Sequence, residues 1–132
     1  MPSVELAAAA IGAPTEQILK TLVFADPEGH VVVAVASGLG RVDRRRLATA
    51  IGCAKLTMAP PDIVLRVTGY PAGGVCPVGH RQATPVVVDR AAAVLPVAYG
   101  GGGDERLLLR IAPADIVRLT GAVVADIVQS PT

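Results

Sequence analysis

Aromatic side chains are nearly missing from this sequence, which has no tryptophan, one phenylalanine (Phe24) and two tyrosines (Tyr70 and Tyr99). That excludes the row of stacking platforms on which sequence-tolerant single-strand binders lay successive bases. Cysteine is scarce too. Cys53 and Cys76 stand in neither a C-x-x-C nor a metal-ligand spacing, so two reduced thiols are expected. An excess of either charge is also lacking. A formal net charge of +1 argues against a dominant electrostatic hold on nucleic acid and is compatible with a weak, transient contact with an RNA end. Long hydrophobic runs are absent as well: the uncharged stretches 67–79 and 91–103 are broken by Gly and Pro and fall short of a membrane span. No basic region precedes the short apolar run 6–11, so no signal peptide is expected and the chain reads as cytoplasmic.

What is present is aliphatic. Hydrophobic residues make up 52% of 132 positions, so the core must be built from Val, Leu, Ile and Ala. The length suits one domain over residues 1–132, burying roughly two-thirds of its unfolded surface.

Ser3 caps a predicted helix over 4–11, ended by Gly12 and Pro14. Strands are expected at 19–25 and 30–36, joined as a hairpin by the turn Asp26-Pro27-Glu28-Gly29, and Gly38 and Gly40 break the second. Asp43 caps an amphipathic segment, 44–51. A short strand at 55–58 leads through Pro60-Pro61 to a helix at 62–67. Residues 68–85 form a long loop punctuated by glycine and proline, and such loops are commonly functional. Strands follow at 85–88, 94–99 and 107–111, the last two joined by Gly100–Gly103. Pro113 opens a helix to Leu119, and 122–128 is a last strand or helix. The mixture without regular alternation predicts an α/β or α+β fold with a mixed, mainly antiparallel sheet flanked by short helices.

Four features bear on chemistry. Lys20, among Ile18, Leu19, Leu22 and Val23, is either a cation held at a sheet end to meet a phosphate or carbonyl oxygen, or a lysine snorkelling to water. Gly73 and Gly74 allow close backbone approach and successive N–H groups aimed at a ligand, or simply make a turn. Cys76 and His80 share that loop as a thiol with an imidazole, or as pocket lining. Arg41, Arg44, Arg45 and Arg46 are either a solvated helix face or a phosphate-contacting edge. His30 is expected to be exposed and uninvolved. Asp104, Glu105, Asp115 and Asp126 show no pairing that suggests metal or acid/base work.

Lys20-Thr21-Leu22-Val23, Val33-Ala34-Val35, the segment 43–52, Thr68-Gly69-Tyr70 and Gly73-Gly74-Val75-Cys76-Pro77-Val78-Gly79-His80 occur in an order that resembles the YbaK-type aminoacyl-tRNA deacylases. These are relatives of the editing domain inserted in bacterial prolyl-tRNA synthetases. The resemblance continues through 85–89 and Ala112-Pro113-Ala114-Asp115. It implies hydrolysis of the ester between a mischarged amino acid and the terminal ribose of transfer RNA. Lys20 would be the essential cation. The loop of Gly73, Gly74, Val75, Cys76, Pro77, Val78 and Gly79, with Thr68, Gly69, Tyr70 and His80, would line the pocket. No metal or organic cofactor is expected. Two departures concern specificity: an N-terminal strand with a pocket tyrosine is expected to be missing, and Leu108 aligns with an acidic residue of cysteine-specific relatives.

On this reading Lys20 and the Gly73, Gly74 and Val75 backbone position the ester, on a proline-accepting or related transfer RNA carrying cysteine, alanine or serine. Expected partners are the transfer RNA acceptor end and a synthetase, with no membrane; monomer and homodimer both fit. The alternatives are a non-catalytic module binding aminoacyl-adenosine-like ligands or a synthetase, and a Cys76/His80 thiol hydrolase of other esters.

Overall fold

The computed structural model describes residues 3–104 and 106–129; Glu105, considered above, lies outside them. Ser3 accepts from the Leu6 N–H at the start of α1 (Val4–Ile11), and a 3₁₀ turn (Thr15–Gln17) leads into the sheet. The hairpin is β1 (Leu19–Ala25) and β2 (Val31–Ser37), antiparallel, with Leu19 opposite Ser37 and Ala25 opposite Val31. Asp43 caps α2 (Arg44–Ile51), and β3 (Thr57–Met58) pairs only with Phe24 and Ala25. Next come α3 (Pro61–Thr68), the long loop, and β4 (Val86–Asp89).

The predicted strand at 94–99 starts late. Asp89 accepts from the Ala91 N–H and turns the chain into α4 (Arg90–Ala93), leaving only Ala98–Gly101 as β5. Three consecutive alanines after an N-capping aspartate favour that helical turn. The chain then makes β6 (Leu108–Ile111), α5 (Pro113–Thr120) and β7 (Val123–Ala125), so the last segment is a strand.

The main sheet has the order β3-β1-β2-β4-β7, while β5 and β6 form a separate antiparallel pair. Its β3-β1-β2 part is antiparallel and its β2-β4-β7 part parallel. The parallel part needs both faces covered, and the unbroken Val-Val-Val-Ala-Val-Ala run of β2, buried from Val32 to Ala36, answers that requirement.

Side-chain alternation sorts the strands onto two cores. Leu19, Val23, Val33, Val35, Val86 and Val88 pack with α3, α4, α5 and Val75 of the loop. Phe24, Val32, Ala34 and Val87 pack with Leu47 and Ala48 of α2 and with Ile127. Lys20 follows the second set, on the face of Leu22 and Phe24. Because β3 pairs with β1 only at Phe24 and Ala25, the edge of β1 at Lys20–Leu22 has no β3 partner.

Candidate functional site

Lys20 is held from behind. Its half-buried ammonium donates to the carbonyl of Gly38, at 3.1 Å, and to that of Gly40. An ammonium has three donors, so one is left without an acceptor among the described residues. Burial lowers its pKa from the ordinary lysine value, because the charged form is the one that loses solvation. Gly38 and Gly40, expected only to break β2, thus orient the cation.

A cleft of about 200 Å³ lies at the open edge of β1. Lys20, Thr21, Leu22, Gly73, Val75 and Gly101 line it, with Ser3 and Val4 at the start of α1 as the remaining wall. Thr21 Oγ1 is buried without a hydrogen-bond partner among the described residues. In the sequence Thr21 is distinguished only by standing next to Lys20, because its burial depends on where the strand edge lies. Gly101 likewise reads in the sequence as part of the connector Gly100–Gly103. A Cβ there would lie 2.4 Å from the Val75 carbonyl oxygen, so only glycine lets β5 touch the loop this closely. The run Gly100–Gly103 was the available signal.

The loop contributes less to this cleft than its sequence suggests. Gly73, with φ of 88°, is exposed at the cleft and its N–H has no partner among the described residues. Gly74 is a correction. Its N–H donates to the Pro71 carbonyl at 2.9 Å, its carbonyl accepts from Gly103, and it sits against the Asp104 backbone. It therefore closes a turn and offers no donor.

Thr68, Gly69, Tyr70, Cys76, Pro77, Val78, Gly79 and His80, expected to line the pocket, are not part of this cleft's lining. Thr68 Oγ1 donates to the Val64 carbonyl at 2.7 Å and accepts from the Tyr70 N–H, and Gly69 ends α3 against Arg81. Pro77 packs on Gly100 and Val78 on the first core. Gly79 and His80 line a separate hollow with Thr84 and Leu119. The physical reason is that a loop crossing a small core spends its apolar side chains on packing.

Cys76 and His80 do not form a thiol–imidazole pair in which the ring serves the sulfur. His80 Nε2 lies 2.7 Å from the Cys76 carbonyl oxygen; a carbonyl only accepts, so that nitrogen donates. Burial lowers the His80 pKa, the carbonyl partly opposing it, which keeps the ring neutral near pH 7. The Cys76 side chain is buried beside the Tyr70 phenol, whose pKa is raised by burial and then by that neighbour. Tyr70 also meets His80 edge to face at 6.4 Å between centroids.

The arginines fall on the other side of Lys20. Arg41, Arg44 and Arg45 line a groove of about 680 Å³ with Lys20, Leu22, Phe24 and Met58. Arg46 points elsewhere, to Asp43 and the Val128 carbonyl. His30 is exposed and bound to Asp26 at 3.0 Å. Asp104, Asp115 and Asp126 make surface ion pairs with Arg106, Arg118 and Arg90. Among the described residues no group of three or more His, Cys, Asp or Glu side chains is placed to hold a metal, and no helix is long and apolar enough to cross a membrane. Leu108 packs at the periphery of the Ala7, Ala8 and Ile18 cluster, opposite Gly101 in the strand register, and is outside the cleft lining.

Comparison with known proteins assigns this architecture. Residues 1–119 match the family model of the aminoacyl-tRNA editing domain. A proline–tRNA ligase of Geobacter sp. (strain M21) is 40% identical over 87 residues, 66% of this chain but only 15% of that enzyme. EbsC of Enterococcus faecalis, a candidate Cys-tRNA(Pro)/Cys-tRNA(Cys) deacylase, is 30% identical over 95% of this chain and 76% of its own length. A crystal structure of a candidate trans-editing enzyme for prolyl-tRNA synthetase superposes with a TM-score of 0.88 at 36% identity, covering 98% of this chain and 81% of that one. With the family model spanning nearly the whole sequence, this chain belongs to the aminoacyl-tRNA editing domain family.

Proposed function

We propose that this chain hydrolyses the ester joining a small, wrongly attached amino acid to the 3′-terminal ribose of transfer RNA, acting on a proline-accepting or related transfer RNA. Residues 1–132 would form one such editing domain, working in the cytoplasm beside a synthetase. The observation that carries this reading is the convergence of Lys20, Thr21, Gly73 and Val75 on one small cleft. The names of the matched relatives, prolyl-tRNA ligases and a candidate Cys-tRNA deacylase, support the substrate class.

The size of the cleft suits an editing site. A synthetase pocket rejects a side chain smaller by one methylene by only about 1–3 kcal/mol, so a second site that admits only small side chains supplies the missing discrimination. The apolar walls Val4, Leu22 and Val75 suit a small side chain such as that of cysteine, alanine or serine.

In the proposed reaction water adds to the ester carbonyl carbon and the bond to the ribose oxygen breaks. That oxygen takes a proton, releasing the amino acid and a transfer RNA with a free hydroxyl. The open donor of Lys20 stabilises the negative charge that develops on oxygen, and the Gly73 and Val75 N–H groups orient the substrate. Neither N–H has a partner among the described residues. An aminoacyl ester is labile, so positioning and electrostatics suffice without a dedicated base.

The test is Lys20→Ala on a panel of transfer RNAs charged with cysteine, alanine, serine and proline. Deacylation of at least one mischarged substrate by the native chain, lost by tenfold or more in the variant, is expected. Undiminished turnover would sink the role of Lys20. Binding without hydrolysis across the whole panel would identify a non-catalytic recognition module.

A further inference from the structure

The groove beside Lys20 has no part in the bond-breaking step, yet it is built for an anion. Arg41, Arg44 and Arg45 are all exposed along it, and none of these three side chains has an ion pair or hydrogen bond among the described residues. One acid, Asp43, lines it. Its carboxylate is already committed, accepting from the backbone N–H groups of Arg45 and Arg46 at 2.9 and 3.2 Å and facing the Arg46 guanidinium. Three cations without partners among the described residues share this groove, and like charges gathered on one surface repel. With a net charge of only +1, this concentration is local rather than a reflection of general basicity.

Groove and cleft adjoin at Lys20 and Leu22. Both residues line each of the two, so the ammonium stands between them. We propose that the groove carries the phosphodiester backbone of the single-stranded 3′ end of the RNA whose terminal aminoacyl-ribose occupies the cleft. This rests on the proposed deacylase reading for the occupant of the cleft. Guanidinium forks match phosphate oxygens in bidentate fashion, and a terminal nucleotide seated by Lys20 has its 5′ phosphate directed away from the ester. Leu22 and Met58 offer sugars and base edges an apolar floor. Sequence information is not read here, because phosphate contacts position a strand without specifying its bases.

The experiment uses an uncharged acceptor-stem hairpin with a single-stranded 3′ overhang, a blunt hairpin lacking it, and an aminoacyl ester of adenosine that carries no phosphate. Variants are the triple change Arg41→Ala, Arg44→Ala, Arg45→Ala and its triple lysine counterpart. Because all three side chains are exposed, the fold should be retained, as circular dichroism would verify. For the overhanging hairpin, the alanine variant should lose at least tenfold in affinity. Its dependence of log affinity on log salt should become shallower by about 0.7 for each phosphate contact removed. The lysine variant should recover most of that slope, the blunt hairpin should bind both proteins equally weakly, and turnover of the adenosine ester should not change. Unaltered affinity and slope in the alanine variant would overturn the proposal. Equal losses on the blunt hairpin would do the same, as would a parallel loss of adenosine-ester turnover, which would make the groove part of the reaction site. Failure of the deacylase reading shows up separately, as absent hydrolysis with salt-dependent overhang binding intact.

Discussion

Lys20 and Cys76 illustrate how position redistributes chemical roles among side chains. The lysine keeps one donor free because two backbone carbonyls take the others, whereas the cysteine, nominally the more reactive group, is buried without a base directed at it. In the proposed mechanism Cys76→Ser leaves deacylation within tenfold of the native rate, a barrier change below about 1.4 kcal/mol. Loss of activity on that exchange, together with inactivation by thiol alkylation, would restore the thiol-hydrolase alternative. Kinetics of both proteins on the same mischarged transfer RNA decide it. Thr21, whose buried hydroxyl has no partner among the described residues, is not distinguishable in the sequence: a threonine in a strand is ordinary, and only the open edge makes it a lining residue.

Among the elements, β5 and the long loop depend on each other. Gly101 lies against the Val75 carbonyl and Gly100 against Pro77, so the Gly100–Gly103 run fixes where the loop can lie relative to β1. Gly101→Ala would force the two backbones apart. Overpacking of this kind costs about 1–3 kcal/mol, and the displacement should lower kcat/KM more than it lowers stability, since Val75 moves away from Lys20. Urea unfolding measured beside deacylation kinetics checks this; native kcat/KM in the variant would refute the dependence. Helix ends were legible because Ser3, Asp43 and the glycines after α1, α2, α3 and α5 are local signals. The start of β5 was not, because the Asp89 cap and the alanines of α4 outweighed the apolar pattern that follows.

For the whole molecule, the neutral state of His80 couples stability to pH. Its folded pKa lies below the ordinary value of 6.5 because burial disfavours the imidazolium. Above pH 6.5 both folded and unfolded chains carry a neutral ring, and the contribution is complete. As pH falls below 6.5 the unfolded state takes up the proton first, so stability declines until the lowered folded pKa is passed. The midpoint of urea denaturation should therefore fall between about pH 7 and pH 5, with a smaller fall in His80→Gln. Equal pH dependence in the two proteins would show that the ring titrates alike folded and unfolded.

The sequence by itself determined most of the local structure: the capped helices, the hairpin across Asp26-Pro27-Glu28-Gly29, and the ordered segments that mark the editing family. Those are short-range matters of capping, turn chemistry and alternation. Tertiary structure alone decided which groups meet. The limited reach of β3 opens the edge of β1, Gly38 and Gly40 turn two carbonyls toward Lys20, and Gly74 spends its N–H on Pro71. Of the glycine loop, Gly73 and Val75 alone line the cleft with Lys20. The reason is that a cleft is a relation between surfaces distant in sequence, and no spacing along the chain encodes which backbone donors remain once packing has used the others.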